Sequence, residues 1–70
     1  MKIKVGDIIS YGPDLDGYYG LALITEVSEL GGICVDWLSS KDNGEEHTFC
    51  NNFFWENDIL RDHNLWRKLS

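Results

Sequence analysis

Proline occurs only once in this chain, methionine once and cysteine twice, and the longest apolar run is the four-residue "LALI". Two cysteines are too few for a disulfide framework. Four apolar residues fall far short of the roughly 18 that a membrane-spanning helix needs. No secretory leader or transit peptide is read at the start, so a cytoplasmic protein of a bacterial or infected host cell, with reduced thiols, is the expectation. Basic residues are scarce too: six against twelve acidic ones, for a formal charge of −6. Such a surface repels phosphate backbones and gains little from counterion release, which argues against a nucleic-acid partner. Nor do the basic residues gather. Lys2 and Lys4 stand at the start, Lys41 in a turn-like stretch, and Arg61, Arg67 and Lys68 near the end. Only folding could bring the two ends into one basic corner.

Against these shortages stand nine aromatic residues among seventy. A chain this short makes one domain, residues 1–70, whose core rarely supplies more than about 3–5 kcal/mol of net stability. Aromatic rings raise the area buried per residue, and they also line binding surfaces. Their number alone does not decide between the two uses.

Short β-branched and aromatic runs separated by turn chemistry point to a small all-β domain. In "KIKVGDIISY", Ile3, Val5, Ile9 and Tyr11 share one parity, as a strand with a common buried face requires. Asp7 falls on that parity as well, and an unbroken strand would bury its charge. Gly6 offers a bend that would let Asp7 turn outward and bond nearby backbone N–H groups. "GPDLDGYYG" reads as a long loop. "LALITEVS" reads as a second strand, with Leu21, Leu23 and Val27 on one side and Ala22, Ile24 and Glu26 on the other. "ICVDWLS" is a third, with Ile33, Val35 and Trp37 sharing a face opposite Cys34 and Asp36. "KDNGE" is a tight hairpin turn, because Asp-Asn-Gly tolerates positive φ, and "EHTFC" a fourth strand. Asn51 and Asn52, and then Asn57 and Asp58, are candidate caps. A 3₁₀-like turn is expected near 55–58, then a fifth strand at 58–62 or 65–69. A helical turn begun at Asn64 is the alternative.

This pattern resembles an SH3-like barrel: all-β, small, five-stranded and antiparallel, with a 3₁₀-like turn before the last strand. "KVGDII" looks like the entry to the first strand of such barrels, "GLALITEV" like their second and "ICVDW" like their third, with Trp37 where an aromatic is often kept. The likeness is to the small SH3-like proteins of tailed phages and marine metagenomes, and it covers roughly residues 3–60. Members of that superfamily bind peptides, nucleic acids or methylated side chains, or pack into assemblies, so the fold carries almost no function by itself. The nucleic-acid-binding branch is usually basic, unlike this chain.

Few residues suggest chemistry. Cys34, His47, Cys50 and His63 form two Cys/His pairs, but neither is a close knuckle, and His47 and Cys50 have opposite strand parity. Two thiols and two surface histidines are the plainer reading, and no metal or other cofactor is expected. Asp14-Leu15-Asp16-Gly17 echoes part of a calcium loop without its remaining ligands. Asp42, Glu45 and Glu46 suit a solvated hairpin. No nucleophile elbow or phosphate loop is present, and a barrel this small is too shallow for a usual substrate pocket, so no enzyme is expected.

An aromatic surface remains. Asp14 and Asp16 beside Tyr18 and Tyr19, together with Trp55 of "FFWEN", would suit a basic proline-rich peptide or a methylated cation. Trp37 and Phe49 are expected to fill the core or a subunit contact. The expectation is a non-enzymatic protein-interaction or assembly module, of phage origin on the resemblance above. It would act through a protein partner or self-association, with no membrane contact. The alternative is a nucleic-acid-associated accessory protein that stacks bases on exposed rings.

Overall fold

In the computed structural model, which describes residues 2–69, a turn from Lys4 to Asp7 breaks the apolar opening. The Asp7 N–H donates to the Lys4 carbonyl at 3.1 Å, and Gly6 between them takes φ 93°. A residue with a side chain rarely adopts that angle, which is why the strand pattern is interrupted by glycine. The bend exists, but its effect on Asp7 differs from the expectation. Asp7 is only 5% exposed. Its Oδ2 accepts the Lys4 backbone N–H at 2.9 Å and lies 3.3 Å from the Lys68 ammonium. A buried carboxylate is tolerable when paired and hydrogen-bonded in this way. The ends of the chain thus meet around an acid.

Six strands and one helix make up the rest: β1 (Ile8–Tyr11), β2 (Tyr18–Val27), β3 (Gly32–Asp42), β4 (Glu45–Glu46), β5 (Phe53–Trp55), α1 (Glu56–Arg61) and β6 (Trp66–Lys68). All pairings are antiparallel, in the order β4-β3-β2-β1-β6, with β5 sharing the β4 edge of β3. Among the described residues β6 pairs with neither β4 nor β5, so hydrogen bonding leaves the sheet open. The expected five strands are therefore six. Of the expected fourth strand, "EHTFC", only Glu46 lies in β4, and the remainder leaves the sheet.

Strand alternation builds the core. Ile9, Ala22, Ile24, Ile33 and Val35 point inward and are buried, joined by Ile3, Ile59 and Trp66. Val5, grouped with them by parity, is exposed because the Lys4–Asp7 turn intervenes. In β2 the register slips by one between Ile24 and Glu26. The surplus Thr25 moves Val27 onto the core side, with Ile24 rather than with Leu21 and Leu23. The "KDNGE" turn forms as expected, with Asn43 at φ 51° and Gly44 at φ 88° joining β3 to β4.

The tail differs most. An α-helix replaces the expected 3₁₀ turn and takes up the "DILR" of the 58–62 candidate strand, so the last strand is the one within 65–69. No glycine or proline follows Gly44. Glu56 and Asp58 lie in the first turn of α1 and Arg61 in its last, the order that complements the helix dipole. Ile59 inserts into the core with no exposed surface. No side-chain cap closes the N-terminus; instead the Glu56 N–H donates to the Gly31 carbonyl at 2.7 Å. No described helix is long and apolar enough to cross a membrane.

Candidate functional site

A register slip in β3 shapes the surface that concerns function. Opposite β2, Trp37 pairs with Ala22 and Ser39 with Leu21, leaving Leu38 as a surplus residue. On the other edge, β4 and β5 keep one common register with β3, as though they were halves of a single strand. Between them residues 47–52 form no strand. Their ends are still tied: the His47 N–H donates to the Ser40 carbonyl at 3.0 Å and the Val35 N–H to the Asn52 carbonyl at 2.9 Å. Ser40 and Val35 are five residues apart. In a regular strand the residues that bond to one neighbour recur at even spacing. The bulge at Leu38 supplies the odd step, and the neighbouring chain lifts away from β3 instead of following the kink. We call residues 47–52 the strap.

Lifting the strap opens a groove of about 520 Å³ on the inner side of the sheet. Tyr11, Tyr18, Trp37, Phe49, Phe54 and Trp66 line it. Their rings touch in sequence: Tyr11 lies 4.8 Å from Trp66, Trp66 5.0 Å from Phe54, Phe54 6.2 Å from Trp37, Trp37 4.8 Å from Phe49, and Phe49 5.8 Å from Tyr18. Gly20 makes room for this arc, since a Cβ there would run into the Trp37 ring and the Ser39 carbonyl. His47 lies at the Tyr18 end, 5.4 Å from that ring. Across the strap, a more polar hollow of about 410 Å³ separates it from Asp36–Lys41 of β3.

Three carboxylates border the groove: Asp14, Asp58 and Asp62. Asp14 organises the first loop, accepting the Tyr11 hydroxyl at 2.8 Å and the N–H groups of Asp16 and Tyr18 at 3.0 and 2.9 Å. Burial alone would raise the Asp14 pKa, but these donors outweigh it and hold the carboxyl below its ordinary range. Tyr11 moves the other way: burial and the Asp14 carboxylate push its hydroxyl up to about 12. At neutral pH Tyr11 is a proton donor and Asp14 an anion. The groove therefore combines aromatic faces with negative charge, the pairing that attracts cations.

Two of the five residues read as binding candidates, Asp14 and Tyr18, meet in the groove. Asp16 is exposed at the loop tip, where its carbonyl accepts Asn43. Tyr19 follows Tyr18 on β2 and so faces the opposite side. Trp55 forms an exposed edge-to-face pair with Phe53, 5.1 Å between centroids, on the outer side of β5. Trp37 and Phe49, expected in the core, are half-buried walls of the groove. Tyr11, Phe54, Trp66, Asp58 and Asp62 were missed. Tyr11 carried a signal, being three residues before Asp14 on a strand that ends in a loop. The helix carried the other two, since Asp58 and Asp62 stand one helical turn apart.

The four Cys and His residues do not come together. Cys34 lies on the outer face of β3 and His63 in the turn after α1, whereas His47 and Cys50 line the groove. Among the described residues no group of three or more His, Cys, Asp or Glu could hold a metal ion. Compared with known proteins, the chain matches no family model, no curated protein and no solved structure.

Proposed function

We propose that this chain is a non-enzymatic interaction module of SH3-like design that holds a basic, extended peptide segment in its aromatic groove. One observation carries the reading: an open arc of six rings bordered by Asp14, Asp58 and Asp62 on a chain of net charge −6. Rings offer flat apolar faces to proline and aliphatic side chains, and the carboxylates attract lysine or arginine. The strand arrangement supports the SH3-like part. β1 lies between β2 and β6, a long loop joins β1 to β2, and a helical turn leads into the last strand. The lack of hydrogen-bonded closure departs from it.

The test is a titration with an acetylated nonapeptide of three Pro-Pro-Arg repeats, followed by ¹H–¹⁵N NMR and tryptophan fluorescence. Saturable shifts at Tyr18, Trp37, Phe49 and Trp66 are expected, with Trp55 unmoved. No shift at millimolar peptide would overturn the reading. Tight binding of a single-stranded oligonucleotide with a steep salt dependence would replace it with the nucleic-acid alternative.

A further inference from the structure

Asp58 and Asp62, which border the groove, are already engaged by a cation from the same helix. Arg61 Nη2 lies 2.9 Å from Asp58 Oδ1, and Arg61 Nε lies 3.8 Å from Asp62 Oδ1. The Arg61 side chain is 71% exposed and does not line the groove, and among the described residues its ion pairs are these two. We propose that Arg61 is a resident competitor for the groove's carboxylates: from outside the lining it neutralises charge with which a ligand cation would pair, and it must be displaced or share those carboxylates when that cation docks. The inference rests on reading the groove as a cation-binding surface, and it adds a selectivity rule.

Physical chemistry fixes the character of this competition. Arg61 offsets one of the two helix carboxylates, leaving the pair with a single net negative charge. An exposed ion pair is weak, so the competitor yields readily. A lone cation arriving from solvent exchanges one arginine contact for another and gains little. A segment with two or more basic residues gains a contact that Arg61 does not already satisfy, at Asp14, the third carboxylate of the groove. Arg61 thus favours multiply basic segments over isolated cations.

The experiment compares wild type, Arg61→Gln and Arg67→Gln with the Pro-Pro-Arg nonapeptide and with a nonapeptide carrying one arginine. Arg67 is an exposed residue of β6 paired with Ser10, away from the groove, so Arg67→Gln controls for net charge. Arg61→Gln is expected to tighten binding of the singly basic peptide about two- to fivefold relative to Arg67→Gln, the range of one exposed ion pair. The gain with the triply basic peptide should be smaller. The side-chain carboxyl carbons of Asp58 and Asp62 should shift on peptide addition in all three proteins, furthest in Arg61→Gln. Equal affinities for the two variants, or weaker binding by a folded Arg61→Gln, would overturn the proposal while leaving the groove reading intact. Failure of every protein to bind either peptide would overturn the groove reading, and this inference with it.

Discussion

The indole N–H of Trp37 donates to the carbonyl oxygen of Asn51 across 2.8 Å, so the ring that floors the groove also ties down the strap that walls it. Apart from the ends of the strap, the described residues show no other hydrogen bond from β3 to it. Replacing Trp37 with Phe keeps an aromatic ring and removes the donor. The expected outcome is a loss on the order of 1 kcal/mol in urea unfolding, with faster amide exchange at His47 and Val35, whose N–H groups tie the ends of the strap, and little change in β1 or β2. Unchanged exchange at these amides would show that the bonds at its two ends, the Ser40 hydroxyl to the His47 carbonyl among them, suffice.

Asp7 should make the fold acid-sensitive. Burial pushes its pKa up, but the Lys4 N–H and the Lys68 ammonium prevail and hold it below 3.8. A carboxyl with a depressed folded pKa stabilises above its unfolded value, and that contribution fades as pH falls through the folded pKa. Asp7→Asn should therefore melt below wild type at pH 7, with the gap constant down to about pH 5 and closing below about pH 4. Thermal melts of both proteins from pH 2 to 8 measure it. A gap that widens in acid would contradict the pairing.

The bond between Tyr11 and Asp14 predicts a particular alkaline titration. With the carboxylate in place the Tyr11 hydroxyl titrates near 12. Burial is the larger cause of this shift and survives in Asp14→Asn, which removes only the added effect of the carboxylate, so the midpoint should fall but stay above the ordinary tyrosine value. Following the Tyr11 ring carbon by NMR reads this directly. The same variant should loosen the loop at Asp16 and Tyr18, whose N–H groups lose a charged acceptor.

Tyr18 and Tyr19 are neighbours in sequence with opposite assignments. Tyr18→Ala should weaken binding of the Pro-Pro-Arg peptide by about tenfold, as expected when a ring in a binding groove is truncated. Tyr19→Ala and Trp55→Ser should leave it within about twofold, since surface changes away from the site are usually small. An equal loss from Tyr19→Ala or Trp55→Ser would move the site to the outer face of the sheet.

Alternation made β1, the first half of β2 and β3 legible, because period-two burial is written in residue order. Ile33, Val35 and Trp37 share the face their parity assigned. The hairpin at Asn43 was legible for a local reason, its tolerance of positive φ. Bulges were not. Thr25 and Leu38 look like any other residue in an apolar run, and each reverses the alternation of the residues after it. The helix was missed because Asp58 to Arg61 fits a short strand as well as a helical turn, and only the pocket that Ile59 fills decides between them. The groove was half visible for the same reason. Tyr18 and Asp14 lie near each other in sequence, whereas Trp37, Phe54 and Trp66 converge only through pairings that span the whole chain.

The surplus residue at Leu38 has a consequence for chain length. Removing it together with one residue of Thr48–Asn51 would make both intervals even, allowing the hairpin to zip into an uninterrupted ladder from Glu45 to Trp55. Such a paired deletion should yield a stable molecule with the same buried isoleucines and no cleft for a guest. Length, rather than any reactive side chain, would then be the variable by which a plain sheet of this kind acquires or loses a ligand.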